Sequence, residues 1–98
     1  MAKTATFEWD DNTNRLNKKK HNISFEEAQY AFSDTKRIIA KDLEHSENEE
    51  RWISLGISIN GNLLVVVHTY KQIDDDTALI RIISARRATK NENKQYQG

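Results

Sequence analysis

Residues 52–70 read WISLGISINGNLLVVVHTY, and the way this stretch folds back on itself decides the architecture. Ile53, Leu55, Ile57 and Ile59 alternate with Trp52, Ser54, Gly56 and Ser58, the period of a strand with one face buried. Asn60-Gly61 follows, and two residues that both tolerate positive φ predict a two-residue type I′ hairpin turn. The returning run, Asn62–Tyr70, contains Leu63-Leu64-Val65-Val66-Val67. It is apolar on both faces, which places it centrally in a sheet. A two-residue turn sets Ile57 opposite Leu64, Leu55 opposite Val66 and Ile53 opposite His68. His68 is therefore expected on a core face as a structural histidine.

Working outward, Arg37–Leu43 reads as a further strand, separated from Trp52 by the acidic loop Glu44–Glu50. Thr4–Trp9 alternates Ala5, Phe7 and Trp9 with polar residues and predicts a first strand. Asp10 or Asp11 can cap a helix running to about His21, with Lys18, Lys19 and Lys20 at its negative end. Leu16 is the only large apolar residue of that helix, so Leu16 and Lys20 are expected to face the body and Lys18 to face water. Ser24 with Glu27 has capping-box spacing, and Phe25, Ala28, Ala31 and Phe32 recur at helical intervals, predicting a helix over 25–32. Downstream, Lys71–Thr77 reads as a polar loop and Leu79–Ser84 as the last strand. Thr89 with Glu92 opens a short helix ending near Tyr96. The sum is one α+β domain over residues 1–98: a small antiparallel sheet, two N-terminal helices and a short C-terminal helix.

The chain's 98 residues carry equal numbers of acidic and basic groups, 37% hydrophobic and 31% charged residues, and no cysteine. That composition suits a small globular domain and excludes disulfide, thiolate and cysteine-zinc chemistry. No apolar run approaches the roughly 20 residues of a membrane span, and no signal-peptide core is present, so a cytoplasmic location is the default expectation. Zero net charge hides segregation. Residues 1–25 carry five basic groups against three acidic, residues 26–50 three against eight, and residues 81–98 five against one. Basic ends of this kind suit a polyanion or an acidic partner, although solvated helix faces produce the same pattern.

The last strand passes directly into Ser84-Ala85-Arg86-Arg87. An arginine fork holds phosphate bidentately, and a strand end fixes its backbone better than a tail would. Arg81, Lys90 and Lys94 extend this cluster, and Lys18-Lys19-Lys20-His21 forms a second. His21 could carry a proton near neutral pH or simply cap the helix. The three histidines show no metal-ligand spacing, and no phosphate-binding glycine loop or nucleophile elbow is present. Metal-free RNA cleavage would need a base for the 2′-OH proton, cations for the developing charge and an acid for the leaving oxygen. A plain RNA- or DNA-binding module would show the same cluster. Trp52 and Tyr70 lie near one end of adjacent strands, where they could stack on a base or merely pack.

Several segments together resemble the BrnT toxin family. They are Phe7-Glu8-Trp9-Asp10, Asn17 with Lys20-His21, Ser24-Phe25-Glu26-Glu27-Ala28, Phe32-x-Asp34, His45-Ser46 with Glu50-Arg51, Gly56, and Arg81-Ile82-Ile83-Ser84-Ala85-Arg86 with Ala88-Thr89 and Glu92-x3-Tyr96. The resemblance implies a RelE-like ribonuclease fold and a type II toxin that cleaves RNA and halts translation, with no cofactor. It also implies neutralisation in a hetero-oligomer with a BrnA-like antitoxin, which alone would contact operator DNA. Carried over by position, it implies a catalytic set of Lys20, His21, Arg81 and Arg86. Arg51, Lys71, Arg87 and Lys18 are the expected RNA-binding residues. Where the family carries glycine after Lys-His, this chain has Asn22, which also tolerates a left-handed helix end.

Overall fold

The computed structural model describes residues 4–44 and 49–98. Most of the expected acidic loop, including His45 and Ser46, lies outside the described residues. The element order is β1 (Thr4–Glu8), α1 (Asp11–His21), α2 (Phe25–Ala28), a 3-10 turn (Gln29–Ser33), β2 (Ile38–Lys41), β3 (Trp52–Ile57), β4 (Leu63–His68), β5 (Lys71–Gln72), β6 (Thr77–Arg87) and α3 (Lys90–Gln97). Caps fall where the sequence places them. The Asp10 carboxylate accepts from Thr13 N, the Ser24 hydroxyl accepts from Glu27 N, and Thr89 with Glu92 forms a reciprocal capping box. Asn22 takes the left-handed conformation that ends α1, at φ 60°. The expected 25–32 helix is α-helical only to Ala28 and then tightens into the 3-10 turn. No helix among the described residues is long and apolar enough to cross a membrane.

The sheet is mixed rather than antiparallel. Its order is β1-β6-β4-β3-β2, with β5 also on β6, and β1 pairs parallel to β6, Phe7 opposite Ile80. A parallel pair needs a crossover connection, and here everything from α1 to β5 intervenes between the two strands. The expected 71–77 loop is mostly hairpin. Lys71 and Gln72 pair with Leu79 and Ala78, and the Asp74 carboxylate accepts from both Asp76 N and Thr77 N at 2.9 Å, closing the turn. β6 consequently starts two residues early and continues to Arg87.

The central hairpin pairs one residue away from expectation: Ile57 with Leu63, Leu55 with Val65, Ile53 with Val67 and Trp52 with His68. The connection is a three-residue loop. Ser58 O accepts from Gly61 N, Ser58 N donates to Asn62 O, and Gly61 takes the positive φ of 81° that such a loop requires. A one-residue slip exchanges faces, so Ser54 and Gly56, not the isoleucines, turn toward the helices. Gly56 is required there because a Cβ would stand 2.6 Å from the Ala31 carbonyl oxygen of the 3-10 turn. Ile23, Phe25, Ala28, Ala31, Leu64, Val66, Ile82 and Ala85 form the core on this side, with Phe7, Trp9 and Phe32 packed against it.

His68 is buried in that layer as expected, opposite Trp52 rather than Ile53. Its Nδ1–H donates to Thr69 O at 3.0 Å, which leaves Nε2 to accept from the Ser54 hydroxyl at 2.7 Å. Burial first, and the Arg37 charge in addition, hold its pKa below the ordinary 6.5. The unfolded chain therefore binds a proton that the folded chain refuses, in the window from 6.5 down to the depressed value. Stability is complete above 6.5 and is lost as pH falls through that window. Melting temperature is expected to fall as pH is lowered from 7 to 5, with His68→Gln removing most of the slope. A slope unchanged in His68→Gln would assign the acid sensitivity to other groups.

Candidate functional site

The end of β6 is shaped by an irregularity. Val67 pairs with Ser84, but His68 pairs with Ile82, leaving Ile83 as an extra residue on β6. Such a bulge re-aims the side chains beyond it. With strict alternation Ile82 and Arg86 would share a face. The extra residue instead lets Ile82 and Ala85 both enter the helix-facing core, while Ser84 and Arg86 face the other side of the sheet. There a cavity of about 340 Å³ is lined by Arg51, Ser84 and Arg86 together with Asp42 and Glu44, over a floor of Ile53, Val65, Val67 and Ile83.

Arg86 is held rigidly. Its Nη1 and Nη2 donate to the two carboxylate oxygens of Glu92 at 2.8 and 2.9 Å, and Nη1 also donates to Arg87 O at 3.2 Å. Of the five guanidinium hydrogens, Nε–H and one on Nη2 remain, and these make one fork suited to a phosphate. Glu92 is fixed in turn by Thr89, whose N–H donates to it at 2.8 Å. The hydrogen bonds from Arg86 lead in drawing the Glu92 carboxyl down to about 2, so the pair stays ionised throughout the physiological range. α3 is tied at its far end by Tyr96, whose hydroxyl donates to Asp34, and Asp34 also accepts from Ile57 N at 2.9 Å. The helix thus bridges the ends of β6 and β3.

The other candidates are dispersed. Arg81 lies on the same side of β6 and pairs with Glu8 at 2.9 Å; both side chains are over 40% exposed, so solvent screens most of that attraction. Lys71 is exposed on β5, and Arg87 is exposed on the opposite side of the strand from Arg86. Lys18 stands near Glu26 in a shallow surface hollow. Lys20 is exposed and His21 partly so. The buried anchor of α1 is Asn17, whereas Leu16 is 56% exposed. Asn17 grips Ala85, the neighbour of Arg86, through Ala85 N and Ala85 O. Lys20, expected to face the body, is exposed instead, and it follows Asn17 with His21 in the last turn of the helix.

Two arginines, a serine hydroxyl and two carboxylates around one open cavity can bind a phosphodiester and hold or move protons beside it. Ser84 belongs to the strand-end motif read from the sequence, whereas Asp42 and Glu44 escape sequence reasoning, because Asp42 reads as the end of a strand and Glu44 as the start of an acidic loop. Glu92 was legible as a helix cap, yet its hold on Arg86 depends on where α3 docks.

A family model described as ribonuclease toxin, BrnT, of type II toxin-antitoxin system matches residues 9–92. The crystal structure of the Brucella abortus ribonuclease toxin BrnT superposes with a TM-score of 0.55 at 17% identity, covering 89% of this chain and 99% of that one. At that identity the likeness shows a shared fold. No curated protein matches the chain significantly in sequence.

Proposed function

The chain belongs to the BrnT family of ribonuclease toxins of type II toxin-antitoxin systems, and from that premise we propose that it is itself a metal-independent endoribonuclease of RelE-like type. The observation that carries this reading is the cavity in which Arg86 presents an unoccupied fork beside Arg51. In the proposed reaction the 2′-oxygen attacks the adjacent phosphorus as a base removes its proton. Arg86 and the nearby cations bear the charge on the phosphorane, and an acid protonates the departing 5′-oxygen. Lys20 and His21, at the end of the helix that Asn17 ties to Ala85, are the candidates for base and acid, and Arg81 extends the positive rim on the Arg86 side of β6. Arg51, Lys71, Arg87 and Lys18 serve the looser task of attracting RNA. Cleavage would leave a 2′,3′-cyclic phosphate and a 5′-hydroxyl.

In the cell this activity would arrest translation until a BrnA-like antitoxin occupies the toxin. Purified protein is expected to cleave RNA in the presence of EDTA and to leave cyclic-phosphate ends. Cleavage that requires added divalent metal, or products with 5′-phosphates, would overturn the metal-independent mechanism.

One observation favours a second reading, a binding module without catalysis. Asp42 and Glu44 share the cavity with the arginines and oppose a polyanion. Expression without a partner separates the two. Growth arrest with loss of cellular RNA supports the nuclease; harmless accumulation supports the module.

A further inference from the structure

A second cavity, of about 250 Å³, lies on the helix-facing side of the sheet and belongs to none of the chemistry above. Phe32, Trp52 and Tyr70 supply aromatic walls, and Arg37, Ser54 and His68 supply its polar groups. Its mouth is open, since Tyr70 is 45% and Ile39 50% exposed. The floor is neutral and already satisfied, because Ser54 donates to His68 Nε2 and His68 Nδ1–H donates to Thr69 O. Arg37 is different. Its Nη1 makes only a long 3.5 Å contact to Asp34 O, and its Nε is buried without any hydrogen-bond partner. A buried donor left unpaired is costly, and such atoms in a native fold call for an explanation.

We infer that this cavity, built by Arg37, Trp52 and Tyr70, binds a single nucleobase. A base is flat and of the right size for the space. It stacks on aromatic rings whatever its identity, and its edge carries acceptors that would draw the Arg37 guanidinium inward and give its idle donor a partner. An aliphatic acid would satisfy Arg37 and waste the rings, whereas an apolar side chain would do the reverse. The position also fits. Arg51 lines the phosphate cavity on one face of the sheet, and Trp52, the next residue, lines this one on the other. An RNA strand rounding the start of β3 would thus meet a cation for its backbone and then a slot for a base. The source of the base rests on the ribonuclease reading; the binding itself does not.

The test uses the full chain labelled with 15N and titrated with guanosine, adenosine, uridine and cytidine, none of which carries a phosphate. At least one nucleoside is expected to shift the Trp52 indole N–H resonance saturably in the millimolar range. Trp52→Ala, read at the backbone amides of Ser54 and His68, which line the same cavity, should abolish saturable binding, and Arg37→Gln, which keeps the stem of the side chain, should weaken it roughly tenfold. Tyr70→Ala, at an exposed rim position, should weaken binding without disturbing the fold. Absence of any saturable shift at Trp52 with all four nucleosides, or shifts confined to the Arg86 face, would overturn the inference. RNA cleavage assayed on the same samples keeps the two readings apart. Cleavage without nucleoside binding sinks only the base pocket, and nucleoside binding without cleavage sinks only the nuclease.

Discussion

Arg86→Ala is expected to lower the rate of RNA cleavage on the order of 10² to 10³-fold while the chain stays folded, the cost typical of removing one preorganised charge-stabilising donor. Preorganisation is the reason for so large an effect. Glu92 and the Arg87 carbonyl fix the guanidinium before substrate arrives, so little reorganisation is left for the transition state. The fold should survive, because Glu92 is partly solvated and keeps its bonds to Thr89 when its partner is removed. Arg86→Lys retains the charge and loses the fork, so it should recover only a minor part of the rate. Arg87→Ala, on the other side of the strand, should weaken RNA affinity a few-fold at low salt and leave the single-turnover rate near wild type. Unaltered cleavage by Arg86→Ala, with a melting curve matching wild type, would remove this residue from the mechanism.

Much of the frame could be read in advance where one local rule acts alone. Asp10, Ser24 and Thr89 cap helices because a side-chain oxygen beside free amides leaves few alternatives, and Asn22 ends α1 in the left-handed region for the same kind of local reason. The failures arose where a second strand had to be known first. Asn60-Gly61 suits both a two-residue and a three-residue loop, and the latter is held by contacts distant in sequence: Gly56 under the Ala31 carbonyl, and Ser58 and Asn62 both donating to the Glu27 carboxylate. The bulge at Ile83 is equally silent in sequence, since Ile82-Ile83-Ser84-Ala85 reads as an ordinary strand. Yet that bulge decides which side of the sheet receives Arg86. The candidate arginine was therefore legible together with Arg51 and Ser84, and the carboxylates Asp42 and Glu44 that share its cavity were not.

Asn17→Ala is expected to cost about 3 kcal/mol of stability, the largest single loss we foresee away from the apolar core. β1 accompanies β6 only as far as Arg81, so the outer edge of β6 beyond that point lacks a neighbouring strand. The Asn17 amide takes its place, accepting from Ala85 N at 3.1 Å and donating to Ala85 O and Ile23 O at 2.9 Å each. The residue is only 7% exposed. Alanine would leave one N–H and two carbonyls without protein partners, each worth about 1–3 kcal/mol when fully buried and less where water can enter. Asn17→Asp should be worse at neutral pH, because it sets a negative charge against both carbonyl oxygens while keeping only the bond from Ala85 N. Denaturant titration measures both changes, and a loss below about 1 kcal/mol for Asn17→Ala would show that water replaces the amide freely. The contact also bears on function. It fixes the backbone of the residue preceding Arg86 and joins it to the helix that ends in Lys20 and His21. Cleavage by Asn17→Ala should therefore fall even well below its melting temperature, where a purely global destabilisation would leave the rate unchanged.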